Sequence, residues 1–229
     1  MRKLLNIILV CSLLFSSYKV VDYKHKLEQS EKMYAELRQQ KENNEEKISI
    51  DIEEELNEEY EVEYKEFDWI KIPNTNIEYP IAYGKGNDYY LTHDIKDNES
   101  NSGSIFYSDD DEPLVGTNTT IYGHCMKNGT MFADLQQFKD KEKFINSSLT
   151  LETLVEEKEF KPLAVYITNN DFFHSYLDNF TTYEALHIIK EKALIYNDLQ
   201  YSEDAHILTL VTCEYSEEGN RLLVFYIED

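Results

Sequence analysis

Ala205-His206-Ile207-Leu208-Thr209-Leu210-Val211-Thr212-Cys213 reads as a strand that ends on a thiol. The chain turns polar directly afterwards, through Glu214-Tyr215-Ser216-Glu217-Glu218-Gly219-Asn220, and Arg221 then opens a second apolar run over residues 222–227. Side chains of a strand alternate faces, so Cys213 shares one face with Val211, Thr209 and Ile207, opposite Thr212, Leu210 and Leu208. Gly219-Asn220 is a good turn, and a hairpin folded there brings Arg221 back near Cys213. A thiolate is a nucleophile, and a guanidinium can hold the oxyanion its attack creates. Taken singly, Cys213 reads as a small buried hydrophobe and Arg221 as a surface partner of Glu217 or Glu218.

A candidate base shifts that balance. His124 stands in Thr120-Ile121-Tyr122-Gly123-His124-Cys125-Met126, where a strand ends at Gly123 and a loop begins. Such junctions display reactive side chains on a rigid scaffold. The other histidines read as structural: His25 in a charged segment, His187 on a helix, His206 at a strand start, and His93 and His174 with no evident polar partner.

The 229 residues carry a formal net charge of −23, which excludes nucleic acid as a partner because phosphate binding needs clustered cations. A 41% hydrophobic content with 18 Tyr and 11 Phe is enough for a real core. Three cysteines, Cys11, Cys125 and Cys213, do not make a disulfide framework. Arg2-Lys3 followed by an apolar stretch to Val21, with no small-x-small cleavage site, reads as an uncleaved membrane anchor over residues 1–21. Arg2 and Lys3 would lie inside and the bulk of the chain outside, although Lys19, Lys24 and Lys26 weaken that orientation. A lipoprotein reading at Cys11 is poor, because Val10 sits where a small residue belongs.

Residues 22–66 lack Gly and Pro and read as an acidic, partly helical stalk or linker. Residues 23–40 place Leu27, Met33, Tyr34 and Leu37 at loose helical spacing, and residues 42–66 hold 12 acidic residues against Lys47 and Lys65. From residue 67 the texture changes to short strands separated by turns: residues 67–73, 77–82, 103–107, 119–122, 148–154, 160–168, 205–212 and 222–227. Two helical insertions interrupt them, at residues 131–145 and 182–197. Thr181-x-x-Glu184 is a capping-box start for the second, with Ala185, Leu186, Ile189, Ala193 and Leu194 on one face. The pattern predicts a mainly β domain with peripheral helices over residues 67–229.

Tyr122-Gly123-His124, Thr209-Leu210-Val211-Thr212-Cys213 and Arg221 together resemble the signature of the sortases, extracellular cysteine transpeptidases of mainly Gram-positive bacteria. Asn87-Asp88-Tyr89-Tyr90-Leu91-x-His93-Asp94, Gly103-Ser104-Ile105-Phe106 and Met126-Lys127-Asn128-Gly129-Thr130-Met131-Phe132 resemble the class B branch. The resemblance implies a closed eight-stranded β-barrel. It implies that Cys213 attacks a Thr carbonyl in the C-terminal sorting signal of a secreted protein, that His124 moves protons, and that Arg221 with the Glu214 backbone N–H holds the oxyanion. A peptidoglycan amine would then take the acyl group. Neither a cofactor nor a metal is implied, and the enzyme would sit in the cell membrane as a single-pass protein.

Two positions depart from the family pattern. Cys125 follows the His where a polar residue is common, and makes a redox partner for Cys213 conceivable; Val211 stands where class B members often carry Ser. Other readings remain open at this stage. A cell-wall cysteine peptidase usually presents its thiol at a helix N-terminus and before its His in sequence. A pilus-polymerising sortase would use a pilin Lys as its amine. A non-enzymatic surface domain could hold zinc through His124, Cys125 and Cys213, though no further ligand pair completes that site.

Overall fold

The computed structural model describes residues 2–54, 67–109, 112–169, 177, 180–202, 204–217 and 219–229. His174 and the 55–66 part of the acidic segment lie outside the described residues, as does part of the loop after residue 169.

Among the described residues nine strands form one sheet: β1 Asp68–Lys71, β2 Glu78–Ala82, β3 Ile105–Tyr107, β4 Asn118–Tyr122, β5 Leu149–Glu152, β6 Glu157–Thr168, β7 Ile195–Tyr196, β8 Ile207–Cys213 and β9 Arg221–Glu228. Their order is β5-β1-β2-β3-β4-β8-β9-β6-β7, and β5 also pairs with β6. That last pairing closes eight of the strands into a barrel and leaves β7 as a short flap on β6. Closure removes the exposed sheet edges that would otherwise invite aggregation. Every run read as a strand from the sequence is a strand here. β7 is the addition, and it falls inside the stretch expected to be helical.

β8 is buried on both faces, except at Cys213. Leu208 and Leu210 face the barrel interior with Leu222, Val224 and Tyr226. Ile207 and Val211 face outward into a second core with Leu223, Phe225 and Ile227, under the helix Ala185, Leu186 and Ile189 supply. A strand sandwiched this way reads as an almost continuous apolar run. Thr209, the polar residue on the outer face, is satisfied by Asn118, its Oγ1 donating to Oδ1 at 2.5 Å.

Helices α1 Arg2–Glu54, α2 Asn87–Tyr90, α3 Lys141–Ile145 and α4 Thr182–Lys192 surround the barrel, with a 3₁₀ segment at Phe132–Lys139. The predicted 131–145 helix is therefore two short pieces, separated by Asp140, whose carboxylate caps α3 by accepting from the Glu142 and Lys143 N–H groups. The Thr181–Glu184 capping box starts α4. α4 stops at Lys192, five residues short of the expected end at Asn197. Ala193 takes an extended conformation, which lets Ile195 pair with Val165 and leaves Leu194 exposed rather than on the buried face.

α1 spans both the apolar N-terminus and much of the acidic segment, because residues 2–54 contain no Gly or Pro to interrupt it. Within Asn6–Asn44 it is long and apolar enough to cross a membrane. Its later turns lie on the barrel. Tyr34 is buried, with its hydroxyl donating to the Gly103 carbonyl at 3.1 Å and its ring edge-on to Tyr79 at 5.3 Å. Arg38 Nη1 donates to the Glu78 carbonyl at 3.0 Å, and Lys41 Nζ reaches Glu152 at 2.5 Å.

Candidate active site

β4 and β8 run parallel, with Tyr122 opposite Val211. Parallel neighbours end at the same edge of a sheet, so continuing the register two residues sets His124 level with Cys213. Two hydrogen bonds hold that continuation: Gly123 N–H to the Val211 carbonyl at 3.1 Å, and Thr212 Oγ1 to the Gly123 carbonyl at 2.7 Å. On the other side β9 is antiparallel to β8 and places Arg221 directly opposite Cys213. Imidazole, thiol and guanidinium thus occupy one row across three adjacent strands. All three line a cleft of about 330 Å³, with Leu91, Phe106, Tyr122, Val211 and Leu223 as its apolar walls.

Gly123 is required by space. A Cβ there would lie 2.4 Å from Ile105 Cδ1 and 2.7 Å from Phe132 Cδ2, and both side chains are fully buried. His124 Nε2 is 2.8 Å from the Leu91 carbonyl. A carbonyl only accepts, so this nitrogen carries the proton and the neutral ring presents Nδ1 as its basic atom. Leu91, at the C-terminus of α2, thereby fixes both the tautomer and the ring plane.

Glu214 departs from expectation. Its backbone N–H donates to the Asn220 carbonyl at 2.9 Å and closes the β8–β9 turn, so in this conformation it is not offered to an oxyanion. Its side chain is buried and paired with Lys139 Nζ at 2.8 Å. That ammonium, with the hydroxyl and N–H of Ser216, holds the Glu214 carboxyl down to about 2.

Cys125 is also placed unexpectedly. It is buried, unbonded to another cysteine, and absent from the lining of the cleft. Its thiol meets the Gln136 and Tyr215 side chains, and burial pushes that thiol up, against thiolate formation. Both thiols are free, and Cys213 is near enough to Cys125 to act on its thiol electrostatically. The Cys125 carbonyl accepts from Tyr215 Oη.

Three of the other histidines have local partners. His206 bonds the Gly116 carbonyl and Thr119 Oγ1 at 3.1 and 2.8 Å, His93 stacks on Tyr89 at 4.0 Å, and His187 faces Glu191 on α4. A larger cavity of about 590 Å³ lies between α1 and the barrel, and neither Cys nor His is among its described lining residues. Sequence reasoning missed Gln136 and Lys139, which reach the Cys213 carbonyl and the Glu214 carboxylate. Neither lies in a motif that could have announced it.

The closed mixed barrel is shared with proteins of known structure. The sequence profile of the sortase family, described as the Sortase domain, matches residues 70–227, and the chain belongs to that family. Its relatives are of class B. Sortase B of Listeria monocytogenes is 35% identical over 156 residues, covering 66% of this chain and 63% of that protein. Sortase B of Staphylococcus aureus is 30% identical over 167 residues, covering 68% of this chain and 67% of that protein. The crystal structure of Clostridium perfringens sortase B superposes with a TM-score of 0.65 at 31% identity, over 71% of this chain and 93% of that one. The match thus spans somewhat less than two thirds of the Listeria protein's length.

Proposed function

We propose that the chain is a membrane-anchored cysteine transpeptidase that joins secreted proteins to an amine of the cell wall. The observation that carries this reading is the row His124, Cys213, Arg221 lining one cleft. Cys213 as thiolate attacks the carbonyl carbon of a Thr in a C-terminal sorting signal. Arg221 stabilises the oxyanion, the C–N bond breaks, and imidazolium His124 gives a proton to the leaving amine. The resulting thioester is then attacked by an incoming amine, which loses a proton to His124 as the C–S bond breaks and the thiolate returns.

A peptidoglycan amine is the acceptor that membership of the sortase family with class B relatives implies; a pilin Lys would serve the same chemistry. Residues 1–21 form the anchor, residues 22–66 the connecting segment, part of which lies along the barrel as helix, and residues 67–229 the catalytic domain outside the membrane. A cell-wall peptidase fits less well, because the thiol ends a strand rather than starting a helix.

Mass spectrometry of the chain after incubation with candidate signal peptides tests the reading. An acyl adduct on Cys213 is expected, released as an amide when an amine is added and as an acid without it. Cys213→Ala should form none, and Arg221→Lys should be severely impaired, since a point charge does not reproduce the guanidinium fork. A Cys213→Ala variant that still cleaves peptide sinks the proposal.

A further inference from the structure

Four consecutive residues, two ending β8 and two opening the turn after it, are each bonded to the segment that carries His124. Thr212 Oγ1 donates to the Gly123 carbonyl at 2.7 Å. Gln136 Nε2 donates to the Cys213 carbonyl at 2.9 Å. Lys139 Nζ donates to Glu214 Oε1 at 2.8 Å, and Tyr215 Oη to the Cys125 carbonyl. Two of these bonds come from the 3₁₀ segment, which is itself tied to the base because Phe132 N–H donates to the His124 carbonyl at 2.9 Å.

The Glu214 carboxylate does more than close an ion pair. Its Oε2 accepts from Ser216 N–H at 2.7 Å and from Ser216 Oγ. Ser216 Oγ in turn accepts from Asn220 Nδ2 at 3.3 Å. The Asn220 carbonyl receives the Glu214 N–H at 2.9 Å and lies 3.4 Å from Arg221 Nη1, which also reaches the Gly219 carbonyl at 3.3 Å. A continuous path therefore runs from Lys139 through Glu214, Ser216 and Asn220 to the guanidinium.

We infer that Lys139 and the Glu214 side chain are positioning residues: an ionic clamp that holds the β8–β9 turn so that Arg221 faces the carbonyl attacked by Cys213. Neither touches substrate. The inference rests on the transpeptidase reading and extends it, because it assigns the orientation of the oxyanion-binding group to a pair outside the reacting set. The physical need is clear. The Arg221 side chain is part-exposed and long, and a guanidinium displaced by an ångström loses most of its preference for the transition state.

The test compares two reactions at the same sulfur in the full-length chain. Acylation by a signal peptide creates an oxyanion. Alkylation by iodoacetamide displaces iodide from a CH₂ carbon and creates none. In Lys139→Met, kcat for acylation should fall at least about tenfold with KM little changed, while the alkylation rate of Cys213 stays within about twofold of the parent. Lys139→Arg, which keeps a cation within reach of the carboxylate, should recover most of the loss. Glu214→Gln, which sets an NH₂ group among donors, should reproduce the Lys139→Met phenotype. Parent-like acylation in Lys139→Met, or an equal loss of acylation and alkylation, overturns the inference and leaves the transpeptidase reading standing. Absence of any acyl adduct on Cys213 in the parent chain overturns both.

Discussion

Gly123→Ala probes the junction between the strand that delivers the base and the core beneath it. The added methyl would sit 2.4 Å from Ile105 Cδ1 and 2.7 and 2.8 Å from Phe132 Cδ2 and Cγ, where carbon atoms in contact need about 3.5 Å or more. Ile105 can turn its terminal methyl, but the Phe132 ring cannot withdraw without moving its own backbone, and both residues are wholly buried. Overpacking of this kind costs about 1–3 kcal/mol. For a domain of this size that corresponds to a fall in Tm of roughly 2–12 °C. The strain reaches the proposed active site too, since Phe132 N–H donates to the His124 carbonyl. Thermal unfolding of the detergent-solubilised chain, followed by circular dichroism, measures the first effect, and the acylation rate measures the second. A variant that melts within about 1 °C of the parent and acylates normally would refute the packing assigned to this junction.

The other predictions concern the clamp, the second thiol and α1. Glu214 has a folded-state pKa depressed from 4.5 to about 2, so its contribution is present above the unfolded value and is lost as pH falls from about 4.5 towards 2. Acid titration of stability should therefore show a shallower decline for Glu214→Gln than for the parent, and parallel curves would contradict the assignment. Cys125→Ala should retain acylation, because the Cys125 thiol meets Gln136 and Tyr215 and does not line the cleft; loss of acylation in that variant would give the second thiol a part in the reaction. Tyr34→Ala removes a buried ring and its bond to the Gly103 carbonyl. Trypsin should then cut faster after Arg38 and Lys41, which the packed helix holds against Glu78 and Glu152; unchanged cleavage would mean that Tyr34 does not seat the helix.

Much of the fold was legible because its signals are local. Alternation and turn residues marked the strands, and Thr181 with Glu184 marked the start of α4. The hairpin around Gly219-Asn220 was legible for the same reason, and with it the pairing of Cys213 with Arg221. Local signals failed where two states compete within a few residues. Residues 193–197 have the apolar pattern of a helix, yet Ile195 gains more by pairing with Val165 on the sheet. Asp140 caps a new helix instead of continuing the preceding one. The seating of α1 on the barrel was only half legible, since Tyr34 and Leu37 mark a buried face without naming what covers it.

By itself the sequence determined the chemistry available: one thiol ending an apolar strand, one imidazole at a strand-to-loop junction, and one guanidinium across a short turn. Tertiary structure alone decided how they meet. His124 and Cys213 come level because β4 and β8 pair in parallel, a register set by burial of distant strands against each other and invisible to any local pattern. The same pairing buried Cys125 against Tyr215 and brought Gln136 and Lys139 to Cys213 and Glu214. Those contacts join segments far apart in the chain, so only packing, which acts between residues whatever their separation, could place them.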